Sequence, residues 1–358
     1  MVTYHKTSDT FIAGSMTLHQ KYYTSDEVFE REKQRIFNKY WVCVGHQSRI
    51  PTQGDYFLFK LFGESLIILR DKGNQVRAFY NVCRHRGTKI CETAEGQFNS
   101  SIQCSYHAWT YGLDGKLIGA PFMKEVERFR WEDFPLRAAP VELWEGFIFV
   151  YLGLPGQSAG TGSEPEPFAE TYGLLIGRLS QWNMGSLVSH KRISYDVKSN
   201  WKYIIQNFNE CYHCPTIHTL LNQFADYTSA ENDLFEGPFL GGFLSITSGG
   251  SMTVTGRTCA IPLGDLDEND SQRGYYYSIL SNLLLNIHPD YVMFHLVFPE
   301  GPGRSTVVSE WLFHPEASSQ PDFRPGEAVD FWHETNLQDW HVCELGQLGV
   351  ESKAYTPG

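Results

Sequence analysis

Residues 80–117, YNVCRHRGTKICETAEGQFNSSIQCSYHAWTYGLDGKL, carry the feature that most narrows what this chain can become: Cys83-x-His85, then 18 intervening residues, then Cys104-x-x-His107. Two thiols and two imidazoles at fixed short range make a four-donor set presented by a pair of loops. Three occupants suit such a set: one tetrahedral zinc, a [2Fe-2S] cluster in which two histidines replace two cysteines on one iron, or no metal at all, the four being ordinary core residues. Zinc sites more often place two to four residues between their first ligands. A single intervening residue makes it awkward for Cys83 and His85 to converge on one ion. It suits a dinuclear cluster, with Cys83 and Cys104 on an inner iron and His85 and His107 on an outer, more exposed one. Four ligands at this joint spacing are far more specific than a lone pair of cysteines.

The texture around this stretch predicts the frame. Short β-rich runs (YFLFKLF, SLIILRD, VRAFYNV, GFIFVYL) broken by Gly, Asp-Gly and Pro fill residues 41–152 and point to a small antiparallel β domain. Ahead of it, TSDEVFEREKQRIFNKY (24–40) opens with Thr24 or Ser25 as N-cap and spaces Val28, Phe29, Ile36 and Phe37 as an amphipathic helix would. Residues 153–167, GLPGQSAGTGSEPEP, read as a linker. Beyond it, strands (SLVSHKRISYDV, YVMFHLVF, STVVSEWLFH) mix with helical segments near 201–211 and 327–348, an α+β pattern. The expected division is a helical segment over 1–40, a β domain over 41–155 and a second domain over 156–358.

Charge and cysteine usage exclude some functions. With 358 residues and a net charge of −12 the chain is too acidic for general nucleic-acid binding, and no apolar run approaches the roughly 20 residues of a membrane span. The start, MVTYHKTSDTF, lacks the basic and apolar pattern of a secretory signal. The expectation is a reducing, cytoplasmic setting in which disulfides are the weaker reading. Cys43, Cys91, Cys211, Cys214, Cys259 and Cys343 are then small buried hydrophobes.

A second constellation lies in NWKYIIQNFNECYHCPTIH, 200–218. Glu210 and His213, three apart, share a helix face. His213 and His218 would sit about 140° apart on an ideal helix, poor geometry for one metal. Pro215 should break or loosen the helix between them and let both reach one ion. Two histidines and a carboxylate on one face are what a non-haem Fe(II) oxygenase site requires. For the carboxylate, FWHETNLQDWHVCELGQLGVES (331–352) offers Glu334, Asp339 and Glu344 on a helix.

The first stretch, with Gly87, Trp109 and the turn Leu113-Asp114-Gly115-Lys116, resembles the Rieske cluster motif. Together the two constellations resemble the large (α) subunit of Rieske non-haem iron aromatic-ring-hydroxylating oxygenases over nearly the whole chain. The resemblance implies an N-terminal antiparallel Rieske domain and then a helix-grip (START-like) catalytic domain with an antiparallel sheet. It selects Asp339 as the third iron ligand beside His213 and His218. It also implies that Glu210 accepts hydrogen bonds from His213 and from His107 of a neighbouring subunit, and hence a ring-like homotrimer. Electrons would come from NADH or NADPH through a reductase, with or without a ferredoxin. Histidine ligation would set the cluster potential at roughly −150 to +300 mV, against about −400 mV for plant-type clusters. Relatives usually continue for another helix beyond the point where this chain ends, so a shortened C-terminus is expected.

For substrate, hydroxylation of an aromatic ring is the first expectation. Glu rather than Asp at position 210, LLLNIHPDYVMFH (283–295) and EWLFH (310–314) resemble instead the branch that oxidises choline, glycine betaine and carnitine. For a quaternary amine, cation-π contact calls for aromatic faces, and Phe208, Tyr212, Tyr276, Tyr277, Phe294 and Trp311 are available. A third reading, from another class, is an electron-transfer Rieske protein or redox-sensing module without a mononuclear iron; whether His213, His218 and Asp339 hold an iron discriminates between the readings.

Overall fold

The computed structural model describes residues 3–6, 9, 12–153, 165–234, 236–247 and 249–358. The chain divides into two compact units, Asn38–Pro165 and a second made of Met1–Phe37 with Glu166–Gly358. Most of the stretch 153–167 lies outside the described residues.

Asn38–Pro165 is built of short antiparallel strands. Ala138–Ala139, Val76–Tyr80, Glu64–Arg70, Asp55–Leu61 and Glu95–Gln97 pair in that order. Val141–Trp144, Phe147–Val150 and Val42–His46 make a second sheet, and Ser101–Gln103, Thr110–Gly112 and Leu117–Gly119 a third. Ile67, Phe79, Ile102 and Tyr111 join in one core with Cys83 and Cys104, so the metal loops are anchored by apolar packing. The Asp-Gly turn depends on glycine: Gly115 has φ of 84°, and a Cβ there would come within 2.4 Å of the Phe79 ring.

The other unit centres on an eight-stranded antiparallel sheet. Its order is His5–Lys6, Ala225–Leu234, Phe239–Ile246, Arg273–Ile279, Leu283–Ile287, Val292–Gly301, Arg304–Phe313, Val188–Val197. Against it packs the helix Pro325–Val350. Proline in its first turn and Glu327 beside it suit a helix start, where one N–H is dispensable and negative charge meets the dipole. Its buried residues include Ala328, Trp332, Thr335, Asn336, Cys343 and Gln347, a stripe at helical spacing. Ala328, Phe331 and Trp332 meet Met293, Trp311 and Phe313 of the sheet. Asp339 lies three residues after Asn336 and four before Cys343, on that inward stripe.

The N-terminal helix differs from the single run expected over 24–40. Lys21–Thr24 and Asp26–Glu32 are α-helical, and Lys33–Phe37 widens into a π-turn. Ser25 is the cap, its Oγ accepting the Val28 N–H at 3.4 Å. Tertiary contacts shape the end: Phe37 packs edge-on against Trp201 at 5.3 Å, while Glu32 accepts from Trp201 Nε1 (2.9 Å) and pairs with Lys202 (2.7 Å). Among the described residues no helix is long and apolar enough to cross a membrane.

Candidate metal centres

Cys83 and Cys104 sit on two loops of one backbone design. In each loop the cysteine carbonyl accepts the N–H four residues on (Gly87 at 3.0 Å, Ala108 at 3.1 Å). The cysteine N–H donates to the carbonyl five residues on (Thr88 and Trp109, both 2.8 Å). Each turn passes through positive φ, 74° at Gly87 and 54° at Ala108. The shared design turns both thiols inward and both imidazoles outward. Cys83 and Cys104 are buried and unbridged, His85 and His107 are exposed, and the two rings lie 4.7 Å apart. Trp109 stacks on His85 at 4.9 Å. The Tyr111 hydroxyl accepts the Arg84 N–H at 3.0 Å, leaving its proton for Cys83 Sγ at 3.3 Å. Dry thiols inside and wet imidazoles outside form a donor set that fits a two-iron cluster with histidines on its outer iron.

The second site departs from the expected distorted helix. Trp201–Phe208, capped by the Asn200 side chain on Lys202 N at 3.0 Å, ends before Glu210. A new short helix, Cys214–Ile217, then starts with Pro215 in its first turn, with His213 and His218 as its two caps. Proline here begins a helix instead of breaking one, because its missing N–H costs nothing in a first turn. Glu210 and His213 meet across a turn, not along a helix face. The three donors still converge: His213 Nε2 to His218 Nε2 is 3.1 Å, His218 Nε2 to Asp339 Oδ1 is 3.0 Å, and His213 Nε2 to Asp339 Oδ1 is 3.3 Å. For metal–donor bonds of about 2.1 Å, neighbouring octahedral positions lie about 3 Å apart. The triad therefore fits one face of an ion and leaves the opposite face open.

The outer nitrogens orient both rings. Glu210 Oε1 accepts from His213 Nδ1 at 2.6 Å, and Gln338 Oε1 accepts from His218 Nδ1 at 2.8 Å. Glu210 also accepts the Tyr212 N–H. Burial opposes charge on His213, yet the Asp339 and Glu210 carboxylates outweigh it and raise its pKa to about 9. Burial likewise opposes charge on Asp339 and Glu210, and the histidines hold both carboxyls below their usual range.

Of the other carboxylates offered by that helix, Glu334 is exposed and Glu344 Oε1 accepts the Lys198 N–H at 2.9 Å. Cys211 and Cys214 are joined as a disulfide, against the expectation of two free thiols. The turn between the helices brings their Cα atoms to 5.0 Å, within bridging range. Cys43, Cys91, Cys259 and Cys343 are buried and outside any disulfide, as expected. The orienting role of Gln338 was not anticipated; its place beside Asp339 on the helix was the available signal. Nor was Asn207, whose Nδ2 lies 3.3 Å from His213 Nε2.

A cavity of about 550 Å³ opens beside the triad. Of the six aromatics proposed for a cation, Phe208, Tyr276 and the 94% exposed Tyr212 line it. Tyr277, Phe294 and Trp311 are fully buried in the core instead, because alternate residues of a strand face opposite ways. Trp332 and Trp340 of the C-terminal helix, not foreseen, take their place. Phe208 and Trp332 each meet Tyr276 edge-on with centroids 6.3 Å apart, forming an aromatic corner. His295 also lines the cavity; burial lowers its pKa to about 4, and its Nδ1 lies 2.7 Å from Ser309 Oγ.

Comparison with known proteins gives two family matches along the chain. Residues 40–130 match the Rieske [2Fe-2S] domain, and residues 184–358 match the ring hydroxylating alpha subunit (catalytic domain). The chain is 28% identical over 385 residues to the glycine betaine monooxygenase oxygenase subunit of Chromohalobacter salexigens, covering 96% of this chain and 82% of that one. It is 37% identical over 203 residues to the carnitine monooxygenase oxygenase subunit of Acinetobacter baumannii, 56% of this chain and 52% of the relative. The crystal structure of the quaternary ammonium Rieske monooxygenase CntA with L-carnitine superposes with a TM-score of 0.78 at 25% identity, covering 99% of this chain and 92% of that one. The catalytic-domain match sets aside a purely electron-transferring Rieske protein. With a Rieske domain followed by a ring-hydroxylating α-subunit catalytic domain, the chain belongs to the Rieske non-haem iron oxygenases, oxidoreductases that work with a [2Fe-2S] cluster and a mononuclear iron.

Proposed function

We propose that the chain is the oxygenase component of a monooxygenase that oxidises a quaternary ammonium compound at a C–H bond next to nitrogen. The observation that carries this reading is the aromatic corner of Phe208, Tyr276 and Trp332 in the cavity beside His213, His218 and Asp339. Ring faces attract a cation that has no N–H to donate. The naming of relatives for glycine betaine and carnitine supports the same reading over the aromatic-ring substrate that was the first expectation. One oxygen atom would enter the C–H bond and the other would leave as water, with two electrons and two protons supplied by an NAD(P)H-dependent reductase.

In this reading Cys83, His85, Cys104 and His107 hold the cluster, and His213, His218 and Asp339 hold the iron. The cluster supplies single electrons and the iron supplies oxygen activation. The chain's own groups orient and exclude: Gln338 and Glu210 fix the two imidazoles, and the buried Trp332 and Trp340 wall the cavity against water. Glu210, half exposed, would take a hydrogen bond from His107 of a neighbouring subunit within a homotrimer.

The test is substrate-dependent oxygen uptake with a reductase, across quaternary amines and neutral aromatics, with product identification. N-demethylated or α-oxidised amines are expected. Formation of aromatic diols without amine oxidation would return the assignment to ring hydroxylation.

A further inference from the structure

The cavity holds a polar group that neither the triad nor the aromatic corner uses. His295 stands on the strand Val292–Gly301, in register with Ser309 on Arg304–Phe313. Its neighbour Phe294 turns into the core, so by strand alternation His295 faces the cavity it lines. The side chain is 3% exposed and makes a single hydrogen bond, between Nδ1 and Ser309 Oγ at 2.7 Å. Nε2, on the far edge of the ring, has no hydrogen-bond partner among the described residues.

Ser309 Oγ accepts from Asn336 Nδ2 at 3.4 Å, so its own proton serves His295 Nδ1 and the imidazole proton is left on Nε2. Burial keeps the ring neutral, which makes it a donor and not a charge. A buried N–H without an acceptor is costly, and an oxygen in the cavity relieves it. Phe208 lies edge-on to Tyr276 at 6.3 Å and to His295 at 6.2 Å, so the imidazole stands one ring beyond the aromatic corner. Trp340 closes that side, edge-on to His295 at 5.7 Å, and its buried Nε1 is likewise without a partner among the described residues. The lining is therefore apolar where ring faces would meet an ammonium and hydrogen-bonding a short step away.

Given the amine reading above, on which this inference rests, we propose that His295 positions the substrate's tail. Its Nε2–H donates to an oxygen, of a hydroxyl or a carboxylate, carried on a short chain from the quaternary nitrogen. With the head on the rings of Phe208, Tyr276 and Trp332 and the tail oxygen on His295, the amine is held at two points. That second point selects which C–H bond is turned toward His213, His218 and Asp339.

The test is anaerobic titration calorimetry on the ferrous holoenzyme with choline, glycine betaine and ethyltrimethylammonium, the last matching choline without its oxygen. At least one of choline and glycine betaine should bind the wild type about 2- to 12-fold more tightly than ethyltrimethylammonium. His295→Asn keeps an amide at the Nδ1 position for Ser309 and has nothing at Nε2, so it should bring these affinities level. His295→Gln carries an amide to the Nε2 position and should keep the preference. Both variants should match the wild type in iron content and cluster spectrum. A wild type without the preference would overturn the inference with no variant needed, and so would a His295→Asn that retains it; either result leaves the quaternary-amine reading intact. Binding and turnover of toluene with none of the trimethylammonium compounds bound would overturn both.

Discussion

Nδ1 of His213 donates to Oε1 of Glu210 at 2.6 Å, and this one contact makes Nε2 the nitrogen that faces His218 and Asp339 and that offers its lone pair once its proton has left. A carboxylate can only accept, so the tautomer follows from the partner. Gln338 does the same for His218 with a neutral oxygen.

Replacing Glu210 separates its two proposed roles. Glu210→Gln keeps an acceptor for His213 and should leave the cluster's visible spectrum and the iron content unchanged while slowing turnover. Glu210→Ala removes the acceptor and should also weaken iron binding by about 10- to 100-fold. Unchanged turnover in Glu210→Gln would detach this residue from electron delivery.

Asp339→Ala should lose the mononuclear iron and keep the cluster, so that iron analysis falls by one atom per chain while the cluster absorbance persists. Glu344→Ala is the matched control. It removes the acceptor of the Lys198 N–H, costs about 1 kcal/mol of stability and retains all iron.

Iron loading should depend on pH through His213. Its pKa in the metal-free protein is raised to about 9, so a proton must leave before Nε2 can bind a metal. Apparent iron affinity should therefore rise about tenfold per pH unit between pH 7 and 8 and level off above about 9. Anaerobic metal titrations at stepped pH read this directly; an affinity flat across that range would show that the two carboxylates do not govern the ring.

Tyr111→Phe should lower the cluster's midpoint potential, because the hydroxyl donating to Cys83 Sγ at 3.3 Å favours the more negative, reduced cluster. The same change leaves the Arg84 N–H without its acceptor and should cost about 1–3 kcal/mol of stability. Potentiometric titration and thermal unfolding check the two effects separately.

Phe208→Leu keeps apolar volume and removes one ring face. For a cationic amine, KM should rise by about 2- to 30-fold with kcat little changed, the range that a cation-π contact of about 0.5–2 kcal/mol gives. An unchanged KM would place the ammonium elsewhere in the cavity.

Much of this was legible in one dimension because the informative features are local. Cys83-x-His85 and Cys104-x-x-His107 sit on tight loops, where covalent spacing nearly fixes what the side chains can share. Strand runs such as SLIILRD were readable because their apolar residues are consecutive, as befits a strand buried on both faces. The cavity was not legible. Tyr276 and Tyr277 are neighbours in sequence, yet one lines the pocket and the other is core, and Trp332 reaches the site from the far end of the chain. The local break at Pro215 was visible, but whether it ends a helix or starts one depends on where Trp201–Phe208 stops.

The sequence by itself determined the donor chemistry and the order of the two metal motifs, since ligand type and short-range spacing are covalent properties. Tertiary structure decided which carboxylate joins the histidines. It set Asp339 rather than Glu334 or Glu344 against His213 and His218, because only the inward stripe of Pro325–Val350 turns Asp339 toward a turn more than a hundred residues earlier. It likewise decided which aromatic faces the cavity, a consequence of sheet alternation and helix packing that residue identity alone does not carry.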